Sequence, residues 1–285
     1  MASIISKPKV NIDIDTIGEP FYSGSTVPVK ITVSPQERFS VRLGVLGLTC
    51  TEVYWQIVST GKSTYHQKRK NKLFEVEEQF LDATNFVLGM LDKRAVDLIL
   101  PEGLPPKVIG KTVNISWQLK VSLDIVKMRD INEKRELRVL PITVGIPMPE
   151  LHNRKLSNKI TAYSDDGELI LSLSSIFGTS GETIKGSLEA KTKKDISFRE
   201  IRIVLEKKES AGSKSSKTIA DLVILEKTAS LGSGHYREWL FKLKIPENPT
   251  PTVSTEKSSV VWSVRGIIDK PMKGDFSVES PIRIY

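Results

Sequence analysis

Apolar and polar residues alternate with a period of two along most of this chain. Val113, Ile115, Trp117, Leu119, Val121 and Leu123 fall on one side of an extended backbone, and Asn114, Ser116, Gln118, Lys120, Ser122 and Asp124 on the other. That pattern predicts a strand with one buried and one wet face. Val260, Trp262, Val264, Gly266 and Ile268 repeat it. Nearer the start of each half, Val27, Val29, Ile31 and Val33 alternate with Pro28, Lys30 and Thr32, as Ile184, Gly186, Leu188 and Ala190 do with Lys185, Ser187 and Glu189. Clusters of Gly, Pro, Ser and Asn separate these runs, so the expected class is all-β, built as antiparallel β-sandwiches. One short helix is expected in the first half, over residues 82–91, with Asp82 or Thr84 as its cap and Phe86, Val87, Met90 and Leu91 as its apolar positions.

The pattern occurs twice. Leu98, Leu100, Pro101, Trp117, Asp124 and Leu137-Arg138-Val139 return as Leu243, Ile245, Pro246, Trp262, Asp269 and Ile282-Arg283-Ile284, each 145 positions later. Ser23-Gly24-Ser25-Thr26-Val27, Val29 and Ile31 return as Ser180-Gly181-Glu182-Thr183-Ile184, Gly186 and Leu188, at an offset of 157. A period this long is a whole domain and not a solenoid repeat, and the change of offset requires an indel in mid-domain. The expected organisation is one sandwich over residues 1–145, a proline-rich linker over 146–160, and a second sandwich over 161–285.

Composition narrows the setting. The chain has 285 residues, enough for two domains that each bury a core. No stretch reaches the roughly 18–20 apolar residues of a membrane helix, and the first residues lack the apolar run of a signal peptide. The single cysteine, Cys50, lies in an apolar run and is expected to be an inert core thiol, so an intracellular, cytoplasmic location is expected. The formal net charge of +8 favours anionic partners without choosing among nucleic acid, acidic lipid and phosphorylated peptide.

Motifs of catalysis are weak. Gly61-Lys62-Ser63 resembles the core of a phosphate-binding loop, but Gln56 stands where the loop needs a further glycine, and no helical pattern follows; a hairpin tip is expected. His66, His152 and His235 have no second ligand at metal spacing. Asp165-Asp166-Gly167-Glu168 lacks the alternating ligands of a calcium loop and reads as a tight turn into a strand. Asp124 and Asp269 duplicate each other, which points to a role in the fold. No enzymatic activity, metal or cofactor is expected. Two polar stretches, residues 59–72 and 210–217, are expected to be loops.

The strongest electrostatic feature is Lys62, Lys68, Arg69, Lys70 and Lys72, with His66 among them. On a flexible tip they would either be a solvated loop or dock an acidic or phosphorylated partner. Single-stranded nucleic acid would call for interleaved aromatics, and only Tyr65 lies within the cluster. Trp117 and Trp262 are expected to anchor the two cores.

Taken together these features resemble the arrestin family. Its domains open with an aromatic or apolar residue, a Ser/Pro-Gly-Glu type of turn and an alternating strand, here Phe21-Tyr22-Ser23-Gly24 and Phe177-Gly178-Thr179-Ser180-Gly181-Glu182. They continue with an apolar strand, a proline-rich turn and a strand holding an aromatic, here Leu98 to Pro101, Leu104-Pro105-Pro106 and Val113 to Leu123, then Leu243-Lys244-Ile245-Pro246 and Val260 to Ile268. The resemblance covers nearly the whole chain. It implies two sandwiches side by side in a non-catalytic adaptor or scaffold that binds a protein partner, with peripheral contact to a membrane as a further expectation. The paired lysines of vertebrate arrestins are not reproduced, since Lys7 and Lys9 alternate around Pro8, so receptor desensitisation is not implied. The alternative is a peripheral binder of anionic lipid or nucleic acid through the basic surface.

Overall fold

A computed structural model describes residues 6–141, 158–271 and 274–285. The described residues are all-β; none is helical. The chain divides into two compact units, residues 1–109 with 114–142, and residues 110–113 with 143–285. Of the expected linker, residues 146–157 lie outside the described residues, and Asn158 to Ile160 already belong to a strand.

In the first unit the strands are β1 (Val10–Thr16), β2 (Phe21–Tyr22), β3 (Thr26–Pro35), β4 (Phe39–Ser59), β5 (Thr64–Leu81), β6 (Thr84–Phe86), β7 (Asp92–Ile99), β8 (Val108–Ile109), β9 (Asn114–Ile125), β10 (Ile131–Leu137) and β11 (Val139–Leu140). One sheet runs β1-β3-β7 and the other β10-β9-β4-β5, with β6 on β4 and β8 on β9, while β2 and β11 pair in parallel. The alternation read in the sequence is what the burial follows: Val27, Val29, Ile31 and Val33 of β3, and Ile115, Trp117, Leu119, Val121 and Leu123 of β9, are all buried. Two largely antiparallel sheets with buried apolar faces fit a β-sandwich.

The second unit has β12 (Asn158–Ser164), β13 (Gly167–Leu173), β14 (Phe177–Gly178), β15 (Thr183–Thr192), β16 (Ile196–Ala211), β17 (Lys214–Leu231), β18 (Tyr236–Lys244), β19 (Val253–Ser254), β20 (Ser258–Asp269) and β21 (Phe276–Ile284). Its sheets run β12-β13-β15-β18 and β14-β21-β20-β16-β17, with β19 on β20. Asp165 and Asp166 form the turn between β12 and β13, as expected, and Lys270 Nζ donates to Asp166 Oδ2 at 2.6 Å.

The duplication extends to side-chain contacts. Trp117 Nε1 donates to the Pro105 carbonyl at 3.0 Å, and Trp262 Nε1, 145 positions on, to the Thr250 carbonyl at 2.9 Å. Arg42 clamps Asp124, and Arg199 clamps Asp269. The duplicated aspartates thus serve the fold. The first bulge between β4 and β5, at Gly44/Val45, recurs between β16 and β17 at Ile201/Arg202. Gly24 (φ +84°) and Gly181 (φ +73°) make the same left-handed turn ahead of β3 and β15, a conformation that suits glycine because it has no Cβ.

The helix expected over residues 82–91 does not form. Thr84, Asn85 and Phe86 instead pair with Val41, Ser40 and Phe39 of β4. That pairing satisfies the backbone and buries Phe86 against Phe39, with ring centroids 5.2 Å apart. Val87, Leu88 and Leu91 are left exposed, so the segment has no apolar stripe on which a helix could pack.

Candidate functional site

The two polar stretches expected as loops are for the most part strands. β4 and β5 form one long hairpin, turned by residues 60–63, and β16 and β17 form another, turned by Gly212 and Ser213. In the first hairpin Gly61 (φ +77°) takes the left-handed position, and the Thr60 amide donates to the Ser63 carbonyl at 3.0 Å. Gly61-Lys62-Ser63 is therefore a hairpin turn followed by strand. The helix N-terminus that a phosphate loop requires does not follow it.

β9 backs β4 only from Val41 to Val53. Beyond that point Tyr54 to Ser59 pair with Thr64 to Arg69 as a two-stranded ribbon, and no other strand among the described residues joins them. In the second unit β20 backs β16 all the way to Ala211, so no ribbon projects. The cross-strand pair Tyr54↔Arg69 corresponds to Ala211↔Lys214, by the offsets of 157 and 145. Fourteen residues, 55–68, thus stand where the second unit has Gly212-Ser213, and the excess of twelve is the whole difference between the two offsets. The indel required by the sequence is this ribbon.

Strand geometry divides the basic cluster. Antiparallel partners share a face and alternate residues change face. Lys68, Lys70 and Lys72 lie on one face with their partners Trp55, Val53 and Thr51, together with the pair Ile57↔His66. Arg69 lies on the opposite face with Tyr54, Gln56, Gln67, Val58 and Tyr65, and Lys62 is in the turn. The five residues expected together on a loose tip are therefore separated, and four of them are on or beside strand backbone. Residues 53–74 contain no Asp or Glu. Lys72 pairs with Glu75; Lys62, Lys68, Arg69 and Lys70 are exposed and make no ion pair with described residues. Ile57 and Tyr65 are also exposed, at 55% and 46%.

The aromatic and apolar members of the ribbon, Tyr54, Trp55, Ile57 and Val58, are not apparent from the basic run alone. They precede it in sequence and join it only through hairpin pairing. The change of offset and the long gap without a carboxylate were the signals that could have found them.

A second duplicated feature also escaped sequence reading. Glu52 and Glu209, 157 positions apart, are both buried carboxylates in strand interiors. Glu52 accepts from Asn71 Nδ2 at 2.8 Å. Within the second unit, Glu209 Oε1 meets Lys207 Nζ at 2.7 Å, and Oε2 accepts the amides of Thr112 at 2.6 Å and Val113 at 3.1 Å. Burial pushes the Glu209 carboxyl up, but Lys207 and those amides outweigh it and hold the group below the ordinary carboxylate value. Lys207 itself occupies the position of Cys50 and lies over the Trp262 ring, 5.9 Å from its centroid. Cys50 is fully buried, and burial pushes its thiol up to about 12, the state of an inert core cysteine.

His66 lies on the ribbon, and His235 lies in the turn before β18, where its Nδ1 accepts the Gly232 amide at 3.3 Å; His152 lies outside the described residues. Among the described residues no group of three or more His, Cys, Asp or Glu is placed to hold a metal ion, and no helix is long and apolar enough to cross a membrane. No protein-family model matches the chain, and a search of curated proteins returned no relative.

Proposed function

We propose that the chain is a non-catalytic, intracellular adaptor or scaffold of arrestin-like build, two antiparallel sandwiches in tandem, which binds a partner protein at a membrane surface and uses the β4–β5 ribbon as a docking element. The observation that carries this reading is the ribbon's presence in one copy of the duplicated fold and absence from the other, combined with its basic, acid-free composition. What repeats in a duplicated domain serves the common frame. What one copy adds is free to serve recognition, and an exposed cluster of Lys and Arg steers and holds anionic surfaces. The inert Cys50 and the strand after Gly61-Lys62-Ser63 support a binding role over catalysis.

The test is affinity capture from cell extract at low and high salt, comparing the parent with a variant in which residues 55–68 are replaced by Gly-Ser, the turn of the second unit. Loss of a captured protein in the variant, with its folding unchanged, is the expected result. Identical captures by both would remove the ribbon as the docking element. Nucleotide hydrolysis that is lost in Lys62→Ala would overturn the non-catalytic reading.

A further inference from the structure

We propose that the loop joining β6 to β7, residues 87–91, inserts its apolar tip shallowly into an anionic lipid bilayer. The proposal rests on the membrane-surface part of the function above and names the segment that makes that contact, away from the ribbon. Val87, Leu88 and Leu91 are 42%, 73% and 56% exposed, and Met90 is half-buried. Four large apolar side chains thus crowd one short turn.

The second unit makes the same turn without them. Gly232-Ser233-Gly234-His235 stand 145 positions after Val87-Leu88-Gly89-Met90. Gly89 has φ +81° and Gly234 φ +75°, and the fourth residue's amide donates to the first residue's carbonyl at 3.1 Å in one turn and 3.2 Å in the other. A turn of this class needs glycine at its third residue and asks nothing apolar of the rest. Val87, Leu88 and Met90 are therefore not required by the turn, and a contiguous apolar run left in water marks a surface that meets something.

The tip is held at both feet. Phe86 is buried against Phe39, with ring centroids 5.2 Å apart. On the other side the Arg94 guanidinium donates to both Asp92 carboxylate oxygens, at 2.7 and 3.0 Å. Little order is left to be imposed when the loop binds.

Charge selects the kind of surface. β6 pairs with the start of β4, and β9 ends on the opposite side of β4, with Ile125 beside Val41. The β3–β4 turn, the β9–β10 turn and residues 6–9 therefore lie at the same end as the loop; Gln36 donates its amide to the Lys9 carbonyl, and Arg129 to that of Ser6. With strands about 4.8 Å apart, β9 is about 10 Å from β6, close to one Debye length in physiological salt. Lys7, Lys9, Arg38, Lys93, Lys127 and Arg129 are exposed there and make no ion pair with described residues. The carboxylates of this end are engaged: Asp92 by Arg94, Asp124 by Arg42, Glu37 by the Lys9 amide at 2.9 Å and Asp130 by the Ile125 amide at 3.1 Å.

An apolar tip among unpaired bases matches a bilayer interface. Apolar side chains of a peripheral element enter about 5–10 Å, while basic groups beside them meet anionic headgroups. A stable protein interface or second copy needs about 800 Å² per partner, and four side chains on a convex turn supply only a fraction of that. A bilayer sets no such threshold, since each side chain that enters adds its own transfer. Single-stranded nucleic acid would call for aromatics, and the loop has none.

Vesicle flotation tests this on the full chain, with phosphatidylcholine alone and with about one third phosphatidylserine added. Val87→Gly/Leu88→Ser/Met90→His gives the loop the turn of the second unit and keeps Gly89. Leu88→Ser alone, at the most exposed position, serves if the triple variant melts early. Arg38→Gln/Lys93→Gln/Lys127→Gln removes charge, and the Gly-Ser replacement of residues 55–68 removes the ribbon. The parent should bind the anionic vesicles only, more weakly at high salt. The turn variant should lower partitioning by about a hundred-fold and Leu88→Ser by about ten-fold. Loss of three bases should also lower it by about a hundred-fold. Removal of the ribbon should leave vesicle binding as in the parent. In a Cys50→Ala background, a solvent-sensitive fluorophore on Leu88→Cys should shift to the blue with anionic vesicles and be quenched by brominated lipid.

A parent that ignores anionic vesicles, or binds phosphatidylcholine alone as tightly, overturns the proposal. So does a turn variant that binds as the parent does, or a fluorophore that does not respond. If vesicle binding fails while removal of the ribbon still abolishes protein capture, the adaptor reading stands without this loop. Should the turn variant instead lose a captured protein, or a dimer of the parent, the loop is a protein contact and the bilayer proposal falls.

Discussion

The hairpins β4–β5 and β16–β17 are the same element built twice, and their differences separate frame from surface. Both bulge at the same first position, both bury a glutamate 157 positions apart, and both lie beside a strand holding a buried tryptophan. At the position of Cys50 the second unit has Lys207, so its tryptophan packs under a cation where Trp117 faces Phe74, ring centroids 6.2 Å apart. The edges diverge further. Glu77 and Gln79 of β5 are replaced by Leu222 and Ile224 of β17, both exposed. A bare apolar edge invites strand pairing; here Asp221 of β17 accepts the Lys244 amide at 2.6 Å, and Glu226 accepts Trp239 Nε1 at 2.8 Å, so β18 lies alongside it. β5 is instead an edge rich in charge. A duplicated frame tolerates these exchanges because each keeps the ladder paired, and the Lys207 ammonium that stands in place of the Cys50 thiol is met by Glu209.

The equivalence of the two cores is broken most sharply at the tryptophans. Trp117→Ala and Trp262→Ala should each destabilise their own unit by about 3–5 kcal/mol, the cost of emptying a buried aromatic site. Native-state hydrogen exchange, which reports each unit separately, measures this. Parent-like protection around β9 in the Trp117 variant would end the equivalence.

The buried glutamates should differ in sensitivity to acid. Glu209→Gln removes the charge that Lys207 and two amides meet, and should cost about 1–3 kcal/mol at neutral pH. Because the folded carboxyl titrates below its unfolded value of 4.5, its contribution is present above that pH and is lost as pH falls through the folded value. Urea midpoints of parent and variant should therefore converge on acidification. A constant gap would mean that packing, not charge, is what Glu209 supplies.

At the Cys50/Lys207 position the contrast is alkaline. The folded thiol titrates at about 12 against 9.0 when free, so the unfolded chain releases its proton first. Stability from this group is complete below the free value and declines as pH rises from there towards the folded one. A Cys50→Ala protein should show a shallower alkaline loss than the parent. Labelling of Cys50 at pH 8 should follow unfolding; rapid labelling of the native protein would place the thiol outside the core.

The smallest effect is expected where the hairpins differ most. Replacing residues 55–68 by Gly-Ser should change stability by no more than about 1 kcal/mol, since no third strand among the described residues pairs with the ribbon and shortening a hairpin connection alters closure entropy little. Lys68, Arg69, Lys70 and Lys72 all changed to Ala should stay within about half a kcal/mol. A large loss in either, read from urea unfolding, would make the ribbon part of the frame and erase the distinction.

Sequence alone determined the frame. Period-two alternation is a local property of the backbone, so the buried faces of β3, β9, β15 and β20 and the anchoring role of Trp117 and Trp262 were legible from residue order. The repeat offsets likewise required an indel, although they could not say where it projected. Tertiary pairing decided the rest. Residues 82–91 have an apolar spacing compatible with a helix, and only the presence of β4 alongside made Thr84 to Phe86 a strand. Lys68 to Lys72 read as one cluster because they are adjacent in sequence, yet a strand turns neighbours to opposite faces. Trp55 and Lys68 became neighbours only when the hairpin closed. Asn71 reaches Glu52 from the neighbouring strand, and the amides of Thr112 and Val113 reach Glu209 from a distant loop, and no local pattern encodes a contact between residues that meet only after the chain has folded.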